Sequence, residues 1–155
     1  MTQRPFIYSL FILAILSVYP VHSNSATLPI KYPAKLLDVT DGDTIKVRAT
    51  IWIKTFMDTN VRIYGIDTPE LSGKCDNERY LAQQAKKFVE ETLGSATEIY
   101  LDGITNDKYG GRVVSTVLYK NPKGKTRNIA KDLIKQGLAV PYDGGTKTHN
   151  WCKEK

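Results

Sequence analysis

The chain has 155 residues, a net charge of +6, two cysteines and two histidines. That length leaves room for one domain with one core, and the basic balance favours polyanionic partners: nucleic acid, anionic lipid or glycan. Once the N-terminal segment described next is removed, His149 is the one histidine left, which excludes catalysis by a histidine pair.

Arg4 precedes an apolar run from Phe6 to Tyr19 that carries no charge, and Val21-His22-Ser23 follows with residues suited to a cleavage site. This pattern reads as a secretory signal peptide over 1–23, because the run is short of the ~20 residues that span a bilayer. A secreted or periplasmic protein with no stable membrane association after cleavage is the expectation. Residues 24–34 are expected to be an exposed leader, and 35–142 the folded domain.

Strand-like stretches follow the leader. Lys35–Thr40 is partly apolar, and in Thr44–Ala49 the apolar Ile45, Val47 and Ala49 alternate with Lys46 and Arg48, the period of a half-buried strand. Ile51–Phe56 and Val61–Ile66 are expected to pair as a hairpin through Met57-Asp58-Thr59-Asn60. A helix is predicted from Asp76 or Asn77, either of which can cap it, with Leu81, Ala85, Phe88, Val89 and Thr92 as its buried stripe and Gly94 at its end. Thr97–Leu101 and Val113–Tyr119 read as strands, and Asn121-Pro122-Lys123-Gly124 as a turn. Ile129, Leu133, Ile134 and Leu138 mark a second helix stopped by Gly137. The tail, 143–155, is Gly- and Lys-rich and is expected to wrap the surface. About five strands with an inserted and a late helix fit an α+β architecture built on a five-stranded Greek-key barrel of OB type; an α+β sandwich is the competing arrangement.

Cys75 and Cys152 form an even pair, which in an oxidising compartment favours one disulfide over two thiols. It would tie the tail to the loop after Glu70 and close about 78 residues, with an upper chain-entropy figure of roughly 4 kcal/mol. With His149 alone nearby, the two thiols make a poor zinc set.

Two short runs carry the chemistry. Asp41-Gly42-Asp43-Thr44 is a turn by type, and it lacks the third ligand and the twelfth-position Glu of an EF-hand. Asp67-Thr68-Pro69-Glu70 follows a strand, and Pro69 holds Thr68 extended, which can aim the Thr68 carbonyl and the Asp67 carboxylate at one point. Carboxylates suit a hard cation such as Ca²⁺, and an Arg beside it, Arg62, suits a phosphate. Simple alternation puts Arg62 and Asp67 on opposite faces of a strand, so they share a site only if the strand bends or bulges, with Gly65 as the place for it. Asp107-Lys108-Tyr109-Gly110-Gly111-Arg112 reads as a tight turn that offers Arg112, Lys108 and Tyr109 to a phosphate, or else as a solvated hairpin.

In these motifs the chain resembles the staphylococcal nuclease family, from about Lys35 to Tyr142. The resemblance rests on Asp-Gly-Asp-Thr, Arg-x₄-Asp-Thr-Pro-Glu and Asp-Lys-Tyr-Gly-Gly-Arg in that order, with Gln136-Gly137-Leu138-Ala139 at a helix end. It implies an OB barrel with two to three packed helices and a Ca²⁺-dependent nuclease acting on DNA and RNA, expected as a monomer. Asp43, Asp67 and the Thr68 carbonyl would hold Ca²⁺, with Asp41 behind them. Arg62, Glu70 and Arg112 would be the catalytic three, and Lys108, Tyr109 and Tyr142 would line the nucleotide site. Cleavage would release the 5′-oxygen and leave 3′-phosphoryl ends. The chain departs from the staphylococcal pattern in its added Gly111, its longer Ile51–Asn60 hairpin, its cysteine pair, and the lack of room for a long third helix after Trp151.

Two other readings compete. An OB barrel can bind single-stranded nucleic acid without cutting it, and a basic secreted chain can be an adhesin or an envelope structural piece. A converged acidic cluster argues against the binding module, since it repels phosphate unless a metal sits there.

Overall fold

The expected alternation in the second strand is realised in the computed structural model, which describes residues 30–108 and 110–153. Ile45, Val47 and Ala49 point into the core while Lys46 and Arg48 face solvent. In chain order the elements are β1 (Lys31–Val39), β2 (Thr44–Trp52), β3 (Thr55–Ile63), β4 (Ile66–Asp67), α1 (Asp76–Gly94), β5 (Glu98–Asn106), β6 (Arg112–Lys120), β7 (Thr126–Asn128), α2 (Ile129–Lys135) and β8 (Val140–Pro141). The main sheet runs β3-β2-β1-β5-β6-β7, and a β3–β6 pairing closes its first five strands into a barrel. That closing pair is parallel, with Asn60 opposite Arg112 and Ile63 opposite Ser115, whereas the other neighbours are antiparallel. This is the OB-type barrel with packed helices, and closure leaves these strands without open edges. The interior is filled by Ile45, Val47, Val61, Ile63, Leu101 and Val117, with α1 adding Ala85 and Val89 and α2 adding Ile129 and Leu133.

The first hairpin differs from expectation. Its turn is Ile53-Lys54, with Lys54 at φ 59°, and Met57–Asn60 lie within β3, paired to Ala49–Lys46. The turn-type residues Asp58 and Asn60 are overridden by register: Val61 must face Ile45 inside the barrel, and a one-residue slip would turn it outward. Asp58 instead accepts from Arg48 across the strands at 2.7 and 2.8 Å, an exposed pair that adds little stability. The expected leader is also shorter than 24–34. β1 begins at Lys31, and Lys31–Ala34 pair with Asp102–Ile99 of β5. The expected signal peptide, 1–23, and residues 24–29 lie outside the described residues. β4, β7 and β8 were not anticipated, being only two or three residues long.

α1 is capped one residue earlier than expected, by Cys75, whose sulfur accepts from the Glu78 N–H at 3.4 Å. Asp76 and Glu78 lie in its first turn, where negative charge complements the helix dipole. Its buried stripe is Ala82, Ala85, Val89 and Leu93; Ala85 and Val89 are as expected, while the expected Leu81, Phe88 and Thr92 are only partly buried. Small side chains let α1 approach the β1–β2 turn closely: a Cβ on Gly42 would lie 2.7 Å from the Ala85 Cβ. Among the described residues, no helix is long and apolar enough to cross a membrane.

α2 is capped by Asn128 and ends at Gly137, which takes φ 70° as a helix terminator. Ile134, expected in its buried stripe, is instead 37% exposed. Inside α2 the buried Asp132 accepts from the Tyr119 hydroxyl at 2.8 Å and from Arg127, joining α2 to β6 and β7. Burial pushes the Asp132 carboxyl up, but the Arg127 and Tyr119 hydrogen bonds outweigh it and hold it below its usual range. Its stabilising contribution is therefore full above the ordinary carboxylate range and lost as the pH falls below that range through the lowered folded value. Asp132→Ala is expected to destabilise the fold by about 2 kcal/mol, the usual cost of a broken buried pair discounted because Arg127 is partly exposed. Urea unfolding at pH 7 measures it, and a change under ~0.5 kcal/mol would remove the network from the account.

Candidate active site

The β1–β2 turn brings the first carboxylates into place. The Asp43 N–H donates to Asp41 Oδ1 at 3.0 Å, which orders the turn, and Gly42 is the residue that α1 leaves room for. Asp43 is almost fully buried. Its Oδ1 accepts from Thr44 Oγ1 at 3.0 Å and from Arg62 Nη1 at 2.7 Å. The Arg62 contact follows from register, since Thr44 and Arg62 are cross-strand partners in β2 and β3. Burial pushes the Asp43 carboxyl up to about 6, against the pull of Arg62.

The chain breaks where Gly65 is expected to bend it. β3 ends at Ile63, Tyr64-Gly65 turns with Gly65 at φ 87°, and β4 starts at Ile66. The break puts Asp67 out of phase with β3. Arg62 spans the bend, with Nη2 donating to the Ile66 carbonyl at 3.3 Å. Asp67, Thr68 and Pro69 are buried and Glu70 emerges to solvent. β4 pairs with β8, Asp67 opposite Val140, which delivers Tyr142: its N–H donates to the Gly65 carbonyl at 3.0 Å. Arg62 Cζ lies 5.7 Å from the centre of the Tyr142 ring, within cation–π range.

Before Arg112, Gly110 and Gly111 both take positive φ (68° and 67°). Arg112 then opens β6 beside the strand of Arg62, and its Nε donates to Asp107 Oδ2 at 2.6 Å. Lys108 reaches the tail, donating to the Gly144 carbonyl at 3.0 Å.

These elements border one cleft of about 450 Å³. Of the expected residues it gathers Asp41, Asp43, Arg62, Glu70, Lys108, Arg112 and Tyr142. Asp67 lies beside it, on the face lined by Lys147 and Tyr142, and Thr68 is buried behind Gly42. Tyr109 lies outside the described residues. Cys75 and Cys152 are joined as a disulfide, Cα atoms 5.9 Å apart.

Lys147 is the site residue that motif reading missed. Its ammonium donates to Glu70 Oε1 at 2.6 Å and lies 2.7 Å from Asp67 Oδ1. The Asp67 oxygen it faces is buried, and the Lys147 ammonium is the close cation that it meets. Burial would lower the Lys147 pKa, but the two carboxylates raise it above the ordinary lysine range. A signal existed in the sequence: Lys147 stands five residues before Cys152 as Glu70 stands five before Cys75, so the disulfide brings the two back together.

The donors here are carboxylate, hydroxyl and carbonyl oxygens, the set that a hard cation takes. Asp67 Oδ1, buried and facing the Lys147 ammonium, is an acceptor that such a cation could take over from that ammonium. Another acidic group, Cys75, Glu78 and Cys152, draws together within 4.8 Å, but its sulfurs are spent in the disulfide and cannot bind as thiolates.

A barrel that gathers these carboxylates and arginines at one cleft is an OB-type barrel with a strongly charged site. Residues 60–154 match the family model of the staphylococcal nuclease homologue, and the chain belongs to that family. It is also 30% identical over 84 residues to the probable endonuclease LCL3 of Eremothecium gossypii, a stretch covering 54% of this chain and 29% of that protein.

Proposed function

We propose that the protein is a secreted or periplasmic, Ca²⁺-dependent nuclease that cleaves DNA and RNA and leaves 3′-phosphoryl ends. The observation that carries this reading is the convergence of Arg62, Arg112, Asp43 and Glu70 on one cleft, with Asp67 at its edge. Family membership supports nuclease chemistry, and Arg4 with the uncharged run from Phe6 to Tyr19 supports export.

Asp43, Asp67 and the Thr68 carbonyl would hold the ion, with Asp41 fixing the turn beneath Asp43. A bound Ca²⁺ supplies charge neutralisation at a phosphodiester oxygen. Glu70, emerging from the buried Asp67-Thr68-Pro69 segment, orients or deprotonates the attacking water. Arg62 is fixed by Asp43 and the Ile66 carbonyl, so its planar fork meets the phosphate already oriented. Arg112 enters from the neighbouring strand and holds a second phosphoryl oxygen as negative charge builds in the in-line displacement. Tyr142 and Lys108 line the nucleotide path.

Incubating single-stranded DNA with the purified protein, with Ca²⁺ and then with chelator, tests the reading. Cutting that stops with chelator and leaves 3′-phosphate ends supports it. Retention of DNA without cutting under Ca²⁺ overturns it in favour of a binding module.

The raised Asp43 carboxyl gives a pH prediction. Its proton must leave before the oxygen can ligate, and with a pKa of about 6 it is mostly charged at pH 7 and mostly protonated at pH 5. Ca²⁺ affinity is expected to fall about tenfold between pH 7 and 5 from this group. Calorimetric titration at the two pH values checks it, and an unchanged Kd would count against Asp43 as a ligand.

A further inference from the structure

The C-terminal tail crosses the site as a strap pinned at both ends. At one end the Tyr142 N–H is bound to Gly65, the Tyr142 hydroxyl donates to the Gly145 carbonyl at 2.6 Å, and Gly145 N–H donates to Asp143 Oδ1 at 2.9 Å. At the other end Trp151 is buried, its carbonyl accepts from Asn77 Nδ2 at 2.8 Å, and Cys152 is bonded to Cys75. Between these anchors Thr146–Asn150 is exposed and irregular. From the middle of this span Lys147 places its ammonium between Asp67 and Glu70.

We infer that Lys147 is a resident counter-cation of the site, competing with the divalent ion for Asp67 and Glu70 and thereby setting the ion's affinity. The inference rests on the reading that Asp67 holds the ion. A carboxylate oxygen facing an ammonium at 2.7 Å has its field partly neutralised, and a second cation brought to the same oxygen is repelled by the first. Asp67 is nearly fully buried, so water screens that repulsion weakly. The ion must therefore displace Lys147. The strap allows this, because its middle is exposed while the disulfide and Trp151 keep the displaced lysine close enough to return. The carboxylates that neutralise Lys147 are the same ones that attract the ion, so binding exchanges one cation for another.

The test is calorimetric titration of Ca²⁺ into the wild-type protein, Lys147→Met and Lys147→Arg, with no nucleic acid present. Lys147→Met is expected to lower the Kd about tenfold or more, and Lys147→Arg, which keeps the charge, to stay within about threefold of wild type. A second readout uses the unmodified chain. Proteolysis with a lysine-specific protease should cut after Lys147 several-fold faster with saturating Ca²⁺ than with chelator, because the displaced side chain is released from its ion pairs. Equal Kd values for wild type and Lys147→Met overturn the inference while leaving the ion site standing. A failure of both proteins to bind Ca²⁺ overturns the ion site and the inference with it.

Discussion

Arg62→Lys is expected to lower kcat/KM for DNA cleavage about 10³-fold while the protein stays folded. The charge survives this change but the geometry does not. Arg62 uses Nη1 on Asp43 and Nη2 on the Ile66 carbonyl, two donors of one plane that also set the direction of the fork. A lysine has a single ammonium on a flexible stem and can satisfy one of these partners or the phosphate, but not all in one plane. The loss should appear in kcat more than in KM, because the second phosphate contact strengthens as charge develops. Steady-state kinetics beside a thermal melt measure it. Activity within threefold of wild type would show that Arg62 is a structural partner of Asp43 and not a clamp.

Glu70→Gln is the second large effect, with an expected rate loss of roughly 10²- to 10⁴-fold. The substitution keeps the shape and removes the charge that activates water. Glu70 is half exposed and carries none of the core, so stability should change by less than about 0.5 kcal/mol. It also removes one of the two carboxylates holding Lys147. Ca²⁺ affinity is therefore expected to stay within about threefold of wild type, because a carboxylate that attracts the ion and a partner of the competing Lys147 are lost together, which separates this variant from loss of a ligand such as Asp67. Single-turnover cleavage at saturating Ca²⁺ is the measurement, and a twofold drop would remove Glu70 from the mechanism.

The barrel was legible where a side-chain period ran unbroken. In β2 the alternation of Ile45, Val47 and Ala49 identified both the strand and its inner face, and Gly137 marked the end of α2. It was illegible where local residue preference opposed pairing. Asp58 and Asn60 read as a turn, yet Val61 has to face Ile45, and that requirement comes from strands far apart in sequence. The stripe of α1 was legible at Ala85 and Val89, whereas Leu81, Phe88 and Thr92 are only partly buried and Ala82 and Leu93 are buried in their place, with Ala85 close against Gly42. The place of Arg112 after the added glycine could not be read from the motif, because it depends on the left-handed conformations of Gly110 and Gly111 and on the pairing of β6 with β3.

The site divides the same way. The order and type of Asp43, Arg62, Asp67, Glu70 and Arg112 could be read in one dimension, because those residues sit in short motifs with their own turn chemistry. The sequence by itself therefore determined the family, the barrel class and the inventory of charged groups. Only the tertiary structure decided how these groups meet: the parallel β3–β6 closure that sets Arg112 beside Arg62, the burial that raises Asp43, and the disulfide-held strap that carries Lys147 to Asp67 and Glu70. Each of these depends on contacts between residues far apart in the chain, and a local pattern carries no information about which distant partner removes a group from water.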